Sequence, residues 1–166
     1  MPDEFQDPDF APPRKDRLLR EHVHDTYKSR SKLPEPTVCP RCLAVYHEGR
    51  WQWRSRPPQA HEQICPACHR VADRYPAGSV VLRGEFIRQH KQEVLNIARN
   101  QETLAKAEHP LARIIEINET EDAALITTTD PHLARRIGEA VHHACAGDLD
   151  FHYAEDSNVL RVTWNR

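Results

Sequence analysis

The sequence predicts an α+β protein in which a small four-cysteine ribbon precedes a long helix and a ββαββ domain, whose antiparallel sheet is covered by one helix. Three observations carry this. Two Cys-Pro-x-Cys knuckles, Cys39/Cys42 and Cys65/Cys68, mark the ribbon. Apolar residues at helical spacing then run from Ile87 to Leu104 and stop at Pro110. Beyond Pro110, four strand-like segments, the last two alternating, flank one amphipathic stretch that opens at Asp130-Pro131.

The chain has 166 residues, enough for one ordinary domain or two small ones. Only 39% of them are hydrophobic and 29% are charged, and thirteen prolines stand against five glycines. A modest core with long solvated segments follows. Residues 1–37 form a basic, proline-punctuated flexible arm with one short helical piece around residues 14–24, where Leu18, Leu19 and Val23 share a face. Residues 38–78 form the ribbon, 79–109 a strand and connecting helix, and 110–166 the ββαββ domain.

Each knuckle offers two thiolates from one tight turn, and two such turns complete a tetrahedral four-sulfur shell. Twenty-two residues separate Cys42 from Cys65, within the habit of zinc ribbons. The ligand set read from this spacing is Cys39, Cys42, Cys65 and Cys68, holding one structural zinc ion. Two disulfides are the competing reading. The chain opens Met1-Pro2-Asp3-Glu4-Phe5, with neither a basic start nor an apolar stretch, so a cytoplasmic protein with reduced thiols is expected. His61 and His69 lie near the second knuckle, but four cysteines already fill the shell.

Within the ribbon, residues 43–46 read as a strand, Glu48-Gly49 as a turn and residues 50–54 as a returning strand. Alternation puts Trp51 and Trp53 on one face and Arg50, Gln52 and Arg54 on the other. The tryptophans read either as the small core over the metal or as a platform for stacked bases, and core is favoured for at least one. After the ribbon come a strand at 79–82 and a helix at 85–108 with Ile87, His90, Val94, Ile97, Gln101 and Leu104 on its stripe. Residues 113–118 and 124–129 read as strands joined by an acidic turn. Asp130 and Pro131 start a helix with Leu133, Ile137, Ala140, Val141 and Ala144 inward, which Gly147 stops. Leu149, Phe151 and Tyr153 alternate in a third strand, and Leu160, Val162 and Trp164 in a fourth.

Charge is uneven although the net value is only −2. Residues 11–56 carry eleven Lys/Arg against five Asp/Glu, whereas residues 110–166 carry five Arg against ten Asp/Glu. A polyanionic partner for the first half is the corresponding expectation. The residues nominated for phosphate contact are Arg41, Arg50, Arg54 and Arg56 on the ribbon, with Lys28, Arg30 and Lys32 on the arm.

No catalytic constellation stands out. The glycines never cluster into a phosphate-cradling loop, a four-cysteine shell leaves no position for activated water, and Cys145 near His142 and His143 reads as a core cysteine. No enzyme is expected.

The run from Cys39 through Leu43-Ala44-Val45-Tyr46-His47-Glu48-Gly49 to Trp51, a second Cys-x-x-Cys, and later residues 125–132 together resemble the zinc-binding portion of the large-ribosomal-subunit nuclear export adaptors. The first knuckle and its Gly-x-Trp strand are the specific part, and the similarity spans roughly residues 38–145. Over its length the chain also looks like a small bacterial zinc-ribbon family. The resemblance implies large-subunit or ribosomal-RNA binding. The adaptors carry further Cys-x-x-Cys pairs and two barrel-like domains that this chain lacks, so an export role is not carried over. The expectation is therefore a ribosome-associated RNA-binding protein. The alternative is a protein–protein adaptor whose acidic C-terminal domain docks a partner over a purely structural zinc site.

Overall fold

The structure, a computed structural model, describes residues 27, 29, 31–154 and 159–166. Lys28, Arg30, the 14–24 helical piece and the turn at 155–158 lie outside the described residues. Among the described residues the chain is a mixed α+β fold with three helices and two sheets.

The first sheet is built from short strands: β1 (Thr37–Val38), β2 (Val45–His47), β3 (Arg50–Gln52) and β4 (His61–Glu62), in the order β3-β2-β1-β4. Strand β1 runs antiparallel to β2 and parallel to β4. Glu48 and Gly49 turn β2 into β3 with φ of 52° and 78°, the two-residue geometry whose twist matches paired strands. The Glu35 carboxylate accepts from the Glu48 and Gly49 N–H groups at 2.9 and 3.1 Å. These bonds, the Glu48 one foremost, hold Glu35 below the usual carboxylate range.

Helix α1 (Pro66–Asp73) follows directly on the second cysteine pair, where the sequence reading placed only a knuckle. Cys65 is its N-cap through the sulfur, Pro66 occupies the first turn, and Arg74 ends it in the left-handed region. Tyr27 docks on this helix: its hydroxyl donates to Asp73 at 2.9 Å and its ring lies 4.6 Å from the Arg70 guanidinium.

The second sheet corrects the expected ββαββ arrangement. Its strands are β5 (Gly78–Arg83), β6 (Ile114–Glu119), β7 (Ala123–Thr128), β8 (Asp148–Tyr153) and β9 (Leu160–Asn165), in the order β6-β7-β5-β9-β8. The strand expected to be a connector, β5, is therefore the central one, antiparallel to β7 and parallel to β9. The sheet is mixed and five-stranded. Two helices pack together against it, α2 (Glu85–Glu108) and α3 (Pro131–Cys145), not one.

Side-chain alternation explains the packing. Val80 and Leu82 of β5, Ala124 and Ile126 of β7, and Leu160, Val162 and Trp164 of β9 are all buried. They meet Ile87, Val94, Leu95 and Ala98 of α2 and Leu133, Ala134, Ile137 and Val141 of α3 in one core. Trp164 donates its indole N–H to the Ala146 carbonyl at 2.6 Å, so its polar edge is satisfied inside the core. Helix α2 is kinked at His90 (φ −121°, ψ 20°), whose ring stacks on Phe86 at 4.3 Å. Ile87 and Val94 are buried as predicted, but further along Leu104 is exposed while Leu95, Ala98 and Ala105 turn inward. Among the described residues, no helix is long and apolar enough to cross a membrane.

Candidate metal centre

The first knuckle is a turn locked by its own backbone. The Leu43 N–H donates to the Cys39 carbonyl at 2.9 Å, and the Cys39 N–H to the Ala44 carbonyl at 2.8 Å. This geometry carries Leu43 into the left-handed region (φ 67°) rather than into the expected strand, which starts two residues later. The second pair sits at the start of α1, where the Cys68 N–H donates to the Cys65 sulfur at 3.4 Å. Strand β1 ends one residue before Cys39, so the first sheet presents one turn to the other.

The four sulfurs of Cys39, Cys42, Cys65 and Cys68 lie within 4.8 Å of one another, and all four thiols are free. Cys42 and Cys65 are 3.7 Å apart. A tetrahedral ion with sulfur bonds of about 2.3 Å spaces its ligands about 3.8 Å apart, whereas a disulfide closes to about 2.05 Å. The donor set and its spacing thus fit one tetrahedral, sulfur-preferring ion. Cys39 and Cys65 are fully buried, Cys68 nearly so, and Cys42 half-buried.

Trp51, Ile64 and Leu111 pack against this sulfur cluster. Trp51 also meets Tyr46 edge-on at 5.6 Å. It is core to the site, as expected of at least one tryptophan. Trp53, beyond the end of β3, stays 39% exposed and donates its indole N–H to the Lys106 carbonyl at 2.6 Å, closing an orphan carbonyl in the last turn of α2.

The electrostatics of the cluster are asymmetric. Burial opposes ionisation of Cys39, but N–H donors from Cys65, Cys42 and Arg41 together prevail and draw its thiol down to about 7. Burial and the neighbouring sulfurs push Cys65 up, and burial also raises Cys68. A cation lies against two of these sulfurs. The Arg113 guanidinium, at the entry to β6, donates to the Cys68 sulfur at 3.2 Å and reaches the Cys65 sulfur at 3.8 Å. Despite the penalty of burial, Cys68 and Cys42 hold Arg113 above its usual range. Sequence reading missed Arg113, because 45 residues separate it from Cys68 and no local motif links them.

The residues nominated for phosphate lie outside this centre. Arg41, Arg50, Arg54, Arg56 and Lys32 are exposed. Arg56 pairs with Glu62 at 2.6 Å; among the described residues no ion pair engages Arg41, Arg50 or Arg54. Cys145 is half-buried against the main core, with its thiol raised by burial.

The fold and the sulfur cluster define a class: an α+β protein with a four-cysteine centre fit for a metal ion. No family model, curated protein or solved structure matches the chain.

Proposed function

We propose that this chain is a non-enzymatic zinc-ribbon protein that binds RNA, with the large ribosomal subunit as its site. One structural zinc ion on Cys39, Cys42, Cys65 and Cys68 shapes the ribbon, and exposed arginines on that ribbon hold phosphates. The observation that carries the reading is the exposure of Arg41, Arg50 and Arg54 beside a buried sulfur cluster, none of the three engaged in an ion pair among the described residues. Such cations are held by a rigid scaffold yet remain available to a polyanion. The half-exposed Trp53 next to Arg54 offers an aromatic surface at the same edge. Four sulfur ligands complete a tetrahedron, which suits a structural role for the ion.

The test is fluorescence anisotropy with labelled ribosomal RNA fragments across a salt series, with Arg50→Glu/Arg54→Glu/Arg56→Glu alongside. Three phosphate contacts on single strands give a log–log salt slope of about −2, since each contributes about −0.7. The reading predicts such a slope, its loss in the triple variant, and co-migration of the wild type with the large subunit in a sucrose gradient. Binding that ignores salt, or a wild type that stays at the top of the gradient, contradicts it. In that case the adaptor role of the acidic C-terminal half takes precedence.

A further inference from the structure

Arg113 has two sets of contacts that belong to different parts of the molecule. Its side chain points into the sulfur cluster, donating to Cys68 and Cys65, while its Nε donates to the Pro110 carbonyl at 2.9 Å. Its backbone belongs to the five-stranded sheet: the N–H donates to the Thr129 hydroxyl at 2.9 Å, and the carbonyl accepts from the Thr129 N–H at 2.9 Å. The next residue, Ile114, donates its N–H to the Glu102 carboxylate on α2 at 2.7 Å. Arg113 therefore joins the metal centre to a sheet edge, and Ile114 beside it joins that edge to a helix.

We propose that Arg113 is the charge-balancing partner of the metal centre and the latch through which metal occupancy holds the second sheet to the first. The inference rests on the metal reading above. A divalent ion on four thiolates carries a net charge of −2, which is costly in a largely buried site unless it is compensated. A guanidinium donating to two of the sulfurs offsets one unit and withdraws electron density from the sulfurs it touches. The same half-buried guanidinium is stable only beside an anionic group. When the ion leaves, the sulfurs no longer converge as one anion, and Arg113 loses the partner that fixes the start of β6. Among the described residues, further links such as the Trp53 to Lys106 bond, the packing of Leu111 and the Ala77 backbone bonds to Thr128 and Leu160 carry no charge and do not respond to it directly.

Two measurements on the full chain test this. The first is zinc affinity by competition with a chromophoric chelator, for the wild type, Arg113→Met and Arg113→Lys. Loss of an outer partner of this kind lowers metal affinity by about 10–100-fold. Arg113→Met falls within that range, and Arg113→Lys, which keeps the charge but not the fork, recovers part of it. The second is hydrogen exchange at the amides of Arg113, Ile114 and Thr129 with and without zinc. In the wild type, chelation speeds their exchange; in Arg113→Met they exchange at one rate in both states, while the central amides of β5, β7 and β9 stay protected and report an intact fold. Equal zinc affinity in Arg113→Met and wild type overturns the inference, as do wild-type amides indifferent to zinc. A wild type that binds no zinc defeats the metal reading itself, an outcome distinct from either.

Discussion

Leu43 occupies the position where a knuckle turn requires left-handed backbone, with φ of 67°. A residue bearing a Cβ pays about 1–2 kcal/mol there. Its side chain is 62% exposed, so little apolar burial offsets the strain. Leu43→Gly is expected to raise the unfolding free energy by about 0.5–1 kcal/mol, after the entropy that glycine returns to the unfolded chain is deducted. Denaturant unfolding of the zinc-loaded chain measures this, and a loss of stability would show that the leucine side chain holds the turn. The contrast between the cysteines and Arg113 shows what a sequence discloses at this scale. Thiolate spacing within a knuckle is a local property, so Cys39, Cys42, Cys65 and Cys68 were legible from the sequence. The contact of Arg113 with Cys68 depends on how two distant segments pack, and no spacing rule reports it.

At the scale of elements, local chemistry was readable where caps and alternation act alone. Helix α3 begins at Pro131 with Asp130 as its cap, as the Asp-Pro pair requires, and β8 and β9 alternate as their sequences do. Strand β5 was legible as a strand but not as the centre of the sheet. Periodicity fixes which face a residue occupies, whereas the parallel pairing of β5 with β9, about eighty residues later, is decided by tertiary packing. Helix α1 escaped notice because it spans only 8 residues, too few for a helical period to stand out. The signal was present in Pro66 following a residue able to cap through its sulfur. Asp130 also supplies a pH test. Its carboxylate accepts from the His132 N–H at 3.1 Å, yet burial outweighs this bond and the nearby histidines and holds the carboxyl above the usual range. The folded state thus favours the protonated acid. The stability Asp130 contributes is fully present below the unfolded value of about 3.9 and is lost as pH rises through the higher native one. Asp130→Asn keeps an acceptor for the cap and removes this loss. Urea unfolding should show the variant gaining on the wild type as pH rises from 4 to 7, with the two converging in acid. An offset that stays constant with pH contradicts this.

At the scale of the whole molecule, the two sheets differ in what holds them. The five-stranded sheet and its two helices enclose a continuous apolar core from Val80 to Trp164. The first sheet has strands of two or three residues, and the cluster around its cysteines adds little apolar volume. In a part this small, an ion held by the four sulfurs would contribute much of the stability. Tyr27 against Asp73 and Arg70, Trp53 against Lys106, and Arg113 against Cys68 then tie arm, ribbon and main domain together. The unequal charge of the two halves was visible in composition, but the residues that join them were not, since each joint pairs positions more than forty apart. The identity of the ion and of its ligands decides whether the ribbon is built as described. Zinc-edge X-ray absorption of the purified full chain reads both at once: it should show a single shell of four sulfurs at about 2.3 Å from zinc. A first shell containing nitrogen or oxygen, or a chain that carries no zinc, would contradict it.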